Sequence, residues 1–187
     1  MYQWFLYFLI YSFLGFCLEK LFARAVRADK QNRKCFLVLP LCPVYGLAMA
    51  ALLYIAPEGM PFFPLTLLGG AVCTAVEYLV HLFYDKVFGV WFWDYRLMRG
   101  HIRGRICPQF ALIWGVLSAA AVRWVHPSAA ALASRFPPEA AYGLWLALAA
   151  DGVFTASLLL RYHDTELLAL PAVLAQARAS SQSSTSR

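Results

Sequence analysis

Five stretches of the chain, 2–22, 36–56, 62–84, 106–125 and 142–160, are apolar almost throughout. Each is close to the length that a helix rising about 1.5 Å per residue needs to cross about 30 Å of hydrocarbon. No water is present at that depth to satisfy a free backbone N–H or C=O, so continuous runs of this kind are read as helices. A hydrophobic content of 61% and a mean hydropathy of +0.60 set the chain apart from soluble domains, which are about half apolar. The expected fold is therefore all-α: a polytopic transmembrane helix bundle of about five spans, forming a single domain over 1–162. Residues 163–187 make a tail that is expected to be disordered from about 179, where Ser, Gln and Thr replace anything that could be buried. The first stretch has neither the basic start nor the cleavage site of a signal peptide and reads as a retained span.

Charge placement gives an orientation. Of the sixteen Lys and Arg residues, fourteen fall on one side if the five stretches alternate: Lys20, Arg24, Arg27, Lys30, Arg33 and Lys34; Lys86, Arg96, Arg99, Arg103 and Arg105; Arg161, Arg178 and Arg187. Arg123 and Arg135 fall on the other. The positive-inside rule makes the rich side cytoplasmic, with the N-terminus outside and the C-terminus inside a multi-pass protein of the cell membrane. A net charge of +6 placed beside spans is a signature of topology and of contact with the lipid bilayer, so nucleic acid is not an expected partner. The five cysteines, Cys17, Cys35, Cys42, Cys73 and Cys107, show no C-x-x-C spacing and read as reduced thiols that pack.

Three carboxylates break the apolar stretches: Glu19, Glu77 and Asp151. An acid at membrane depth costs about 2.5–3.5 kcal/mol on insertion scales, so such residues face a protein interior and mark a site. Glu19 and Glu77 lie toward the cytoplasmic end, where Cys42-Pro43 and Cys107-Pro108 open the two returning stretches. Pro40 and Pro43 should break or kink the second stretch, and the freed carbonyls would line a wet cavity open to the cytoplasm, with the Tyr45 hydroxyl beside it. Acid, basic loop and Cys-Pro recur in the same order in both hairpins, which suggests a parallel internal repeat. Asp151 sits near mid-membrane, and the sequence does not reveal its partner.

Two further features stay open at this level. Cys73, Glu77, His81 and Asp85 recur every four residues along one helix face, either as a polar stripe facing the bundle or as weak candidates for a metal site. The loop Trp91-Phe92-Trp93-Asp94-Tyr95, followed by Arg96, Arg99, His101, Arg103 and Arg105, resembles an interfacial belt, while its arginines suit carboxylate or phosphate. Arg105 could serve as a structural ion-pair partner of Glu77 or Glu19, or as a ligand clamp.

The runs Tyr11 to Glu19, Leu39-Pro40-Leu41-Cys42-Pro43-Val44-Tyr45-Gly46, Glu77-Tyr78-Leu79, Trp93-Asp94-Tyr95 and Gly104-Arg105-Ile106-Cys107 together resemble the Putative ABC-transporter type IV (CmpB-like) family of small bacterial membrane proteins. The resemblance covers about residues 5–125 and implies a multispanning inner-membrane permease. Glu19, Cys42, Glu77, Asp94 and Arg105 match its motifs, whereas Cys73, His81 and His101 are individual to this chain. No G-x-x-x-x-G-K-[ST] loop occurs, so an ATPase would be a separate subunit. The expected function is transport of a small solute bound by Glu19, Cys42, Tyr45, Glu77, Asp94, Arg105 and Cys107, without a cofactor. Two alternatives remain. One is an intramembrane enzyme acting on a lipid or lipid-linked substrate at the cytoplasmic leaflet, with Glu77 or Glu19 as acid or base, the arginine loop gripping a headgroup, and Cys42, activated by Arg105, as a further candidate nucleophile. The other is a scaffold or assembly factor. Small chains of this kind often dimerise to enclose a pathway, so a homo-oligomer also stays open.

Overall fold

The computed structural model describes residues 2–25 and 35–168, and among these the chain is helical, with one antiparallel bridge between Ile102 and Ile106. Helix α1 covers Tyr2–Ala25, α2 Pro43–Ile55 and α3 Phe62–Phe83, which runs on into a π-helical turn, Tyr84–Phe88. Helix α4 covers Pro108–Ala120 and passes through a second π-helical turn, Ala121–Val125, into α5, His126–Arg135; α6 covers Pro138–Tyr162. Four of the resulting helices are long and apolar enough to cross a membrane: Tyr2–Ala25, Phe62–Phe88, Pro108–Arg135 and Pro138–Tyr162. The chain is a multi-pass membrane protein. Phe63, Leu67, Leu112 and Val153 are all more than half exposed, a surface suited to hydrocarbon.

The apolar stretch 36–56 differs from its sequence reading. Residues 36–40 bend, and the helix begins only at Pro43, so α2 has 13 residues and spans about 20 Å, less than the hydrocarbon thickness. Pro43 does not kink a helix; it starts one. Pro43, Pro108 and Pro138 all open their helices, where a missing N–H costs nothing because the first turn has no acceptor for it. Pro127 lies within the continuous run Pro108–Arg135, and it cannot donate to the preceding turn; the adjoining ladder relaxes into the π-helical turn. Helix therefore continues well past 125, and Arg123 lies within it.

The cysteine reading is also corrected. Cys35 and Cys42 form a disulfide, with Cα atoms 5.0 Å apart, while Cys17, Cys73 and Cys107 are free. Their seven-residue separation fits no familiar pairing motif; the bends at 36–40 fold the segment back on itself and bring the thiols together. The basic residues Arg27, Lys30, Arg33 and Lys34 and the tail from residue 169 lie outside the described residues.

Two helical hairpins form the frame. In the α1–α2 hairpin, Gly15 lies flat against the Tyr45 ring and Gly46 against Ser12 and the Phe8 carbonyl. In the α3–α4 hairpin, Gly69 meets Ser118, and a Cβ on Gly115 would lie 2.5 Å from the Thr66 carbonyl oxygen. Lipid is as apolar as a leucine side chain, so helices associate through close backbone approach, and small residues permit it. Between the hairpins, Tyr11, Met49, Leu52, Leu65 and Ala119 form a shared core. The Tyr11 hydroxyl also shares a hydrogen bond of 3.2 Å with His126 Nδ1, which ties α1 to α5.

Candidate functional site

Glu19 and Glu77 each receive a tyrosine hydroxyl. Tyr45, in the first turn of α2, donates to Glu19 Oε1 at 2.7 Å; Tyr95, from the loop after α3, donates to Glu77 Oε1 at 2.8 Å. Helix α4 joins the two pairs with aromatic rings. Tyr95 stacks on Phe110 (centroids 4.9 Å apart), Phe110 lies 5.6 Å from Trp114, and Trp114 stands edge-on to Tyr45 at 5.6 Å. Phe110 and Trp114 are four residues apart and so share one face of α4. The carboxyls of Glu19 and Glu77 lie within electrostatic reach of each other, and Tyr45 senses both. Trp114 lies near Glu77 but outside hydrogen-bonding geometry, which leaves Glu77 Oε2 buried without a partner on a residue only 7% exposed.

The rings of the loop that supplies Tyr95 make specific contacts inside the protein. The loop is irregular from Trp91 to Tyr95, with a bend at Phe92, and Trp91, Trp93 and Tyr95 all turn inward. Trp91 donates to Asp85 Oδ1 at 2.6 Å, Trp93 donates to the Arg105 carbonyl at 3.0 Å, and Tyr95 reaches Glu77. Phe92 points the other way and is buried against Tyr84, Phe88 and Leu159. The period-2 spacing Trp91, Trp93, Tyr95 is the sequence signal that would have found Tyr95 as a site residue. Burial, and then the neighbouring Glu77 charge, push the Tyr95 hydroxyl well above its ordinary range, so it remains a donor at any physiological pH.

Arg105 does not reach Glu77 or Glu19. Its Nη2 donates to Asp85 Oδ2 at 2.6 Å, and its guanidinium lies 5.6 Å from the centre of the Tyr78 ring. Asp85, two turns from Glu77 on the same face, supplies the opposite charge nearer to the start of α4. Arg105 Nε and Nη1 are buried and make no hydrogen bond. His81 is held between the Trp91 and Trp93 rings, and its Nε2 donates to the Trp93 carbonyl at 3.1 Å.

The other sequence candidates take separate positions. Asp94 stays outside the cluster and turns the loop: its carboxylate accepts the Arg96 backbone N–H at 2.9 Å and Nε at 2.7 Å, and Arg96 holds it below the usual carboxylate range. Cys107 is buried immediately before α4. Cys42 is bonded to Cys35, so its sulfur is not a free nucleophile, and its N–H donates to the Ser12 carbonyl at 2.9 Å. Asp151 is the anchor of the non-helical segment, accepting the N–H of Val38 at 3.3 Å and of Leu39 at 2.9 Å. Among the described residues no group of three His, Cys, Asp or Glu side chains is placed to hold a metal: Cys73, Glu77 and His81 share a stripe, but Glu77 and His81 are turned toward Tyr95 and Trp93.

No curated protein and no solved structure gives a significant match to the chain. A family model described as Putative ABC-transporter type IV matches residues 6–159, more than four-fifths of the sequence, and the chain belongs to that family.

Proposed function

We propose that the protein is a permease-like transport protein of the cell membrane that takes a small cationic solute at the paired sites Glu19–Tyr45 and Glu77–Tyr95. One observation carries the reading: two carboxyls from different hairpins face one aromatic wall at membrane depth, and one of them keeps a buried oxygen with no partner. An acid is retained at such a position when it serves a site, and a cation beside the unpartnered Glu77 oxygen would favour the charged carboxylate. Tyr45, Tyr95 and Trp114 add ring faces suited to a positive charge. With the bent segment 36–42 and α2 counted together as one crossing, the charge asymmetry of the chain favours an orientation that places the Arg-rich loop in the cytoplasm. Energy would come from a separate ATPase subunit, in line with the ABC-transporter description of the family.

The test is a deletion strain complemented with wild type, E19Q, E77Q or Y95F and profiled for intracellular metabolites. A small cationic compound whose level is restored by wild type and by neither glutamine variant supports the assignment. A restored profile in both glutamine variants, at wild-type abundance in the membrane, overturns it.

A further inference from the structure

A groove of about 400 Å³ runs between α1, α2, α3 and α6, within the ~300–1,000 Å³ range of small-molecule sites. Phe8, Leu47, Leu79, Phe83, Leu148 and Gly152 form most of its wall. Its lining is apolar, and a buried water needs roughly two to four polar partners, so water gains no hold there. Left empty, the groove would forfeit the dispersion contacts of its whole lining. Leu47, Leu79 and Phe83 on its rim are 46%, 61% and 51% exposed, so it opens sideways onto the surface that faces hydrocarbon. At Gly152 an added Cβ would meet nothing within 4 Å; the missing side chain helps keep the space open. Three residues beyond Phe83, where α3 leaves the apolar region, Lys86 is exposed on the π-helical turn.

We propose that this groove binds one acyl chain of an anionic membrane phospholipid, with Lys86 meeting the headgroup phosphate. The apolar wall matches a hydrocarbon chain, and the cation lies at the end of the span, at headgroup level, where its charge complements the phosphate. Glu19, Tyr45, Glu77 and Tyr95 are not part of the groove wall, so the lipid site stands apart from the solute site proposed above.

The experiment uses the full chain in nanodiscs doped with phosphatidylglycerol that carries a photoactivatable diazirine on its acyl chain, with labelled positions mapped by mass spectrometry. Labelling should concentrate on residues 79–83 and 148–152, above the level at Leu67 and Leu112 on the open lipid-facing surface. Gly152→Leu should lower it about ten-fold, the equivalent of expelling two methylenes from apolar contact. Leu47→Trp fills the groove from the opposite wall and reads the same effect should Gly152→Leu fail to fold. Lys86→Gln should abolish the preference for phosphatidylglycerol over phosphatidylcholine. Labelling no greater than at Leu67 and Leu112, or unchanged by both filling variants, overturns the proposal. So does a shift in particle mass on filling with labelling unchanged, which would make the groove a contact between copies.

Discussion

Replacing Asp151 with leucine removes the acceptor for two backbone amides in a segment that has no helix to satisfy them. The Leu39 contact, at 2.9 Å, has standard length, whereas the Val38 contact, at 3.3 Å, lies beyond the usual N–H···O range and counts for less. An unmet donor out of reach of water costs about 1–3 kcal/mol; the Val38 bond is part-buried and the Leu39 bond exposed, so D151L should lose about 2 kcal/mol in total. In a chain of this size that lowers the apparent melting midpoint by roughly 4–8 °C. D151N keeps one oxygen for Leu39 and should lose about half as much. Val153→Ala, on the exposed face of α6, is the control and should shift little. The assay is thermal unfolding of the detergent-solubilised protein followed by tryptophan emission. A D151L midpoint within about 2 °C of wild type, or D151N as damaging as D151L, would refute the anchoring role.

Gly115→Ala drives a methyl group to 2.5 Å from the Thr66 carbonyl oxygen and should cost about 1–3 kcal/mol in the same melting assay, whereas Gly143→Ala, with nothing within 4 Å, should be neutral or slightly stabilising. Gly104 has φ +71°, and its Cβ would lie 2.9 Å from Asp94 Oδ1; Gly104→Ala should cost about 1–2 kcal/mol from backbone strain alone and expose the bonds between Arg96 and Arg103 to trypsin. Asp94 is held below its ordinary value by Arg96, so its contribution to loop order is complete above that value, near 3.9, and is lost as the pH falls through the lowered one. Hydrogen exchange of the loop amides measured at each pH, corrected for the intrinsic rate, should therefore show protection that stays flat from pH 7 down to about 4 and falls only below that, while D94N should show the weakened loop at every pH.

The polar site was legible in part. Glu19 and Glu77 stand out in sequence because a carboxylate in an apolar run is costly wherever that run ends up, and Tyr45 lies close to a Cys-Pro pair that must interrupt a helix. Tyr95 is harder to see, since an aromatic beside arginines fits a membrane interface equally well until the loop is known to fold back over α3. Arg105 shows the same limit: its sequence position allows Glu77, Glu19 or Asp85 as partner, and only the path of the loop selects Asp85.

Sequence alone determined that the chain is helical and roughly where its long helices lie, because apolar run length acts on neighbouring residues and the bilayer leaves the backbone few alternatives; the start of α2 at Pro43 and the run of helix on to Arg135 came only from the structure. Proline and glycine marked where those helices start and where they approach. The tertiary structure alone decided the partners. Asp151 meets amides 112 and 113 residues away in sequence, Tyr11 meets His126 across 115, and Cys35 finds Cys42 through a turn that no motif announces. Such pairings depend on how whole helices pack against one another, which local spacing does not encode.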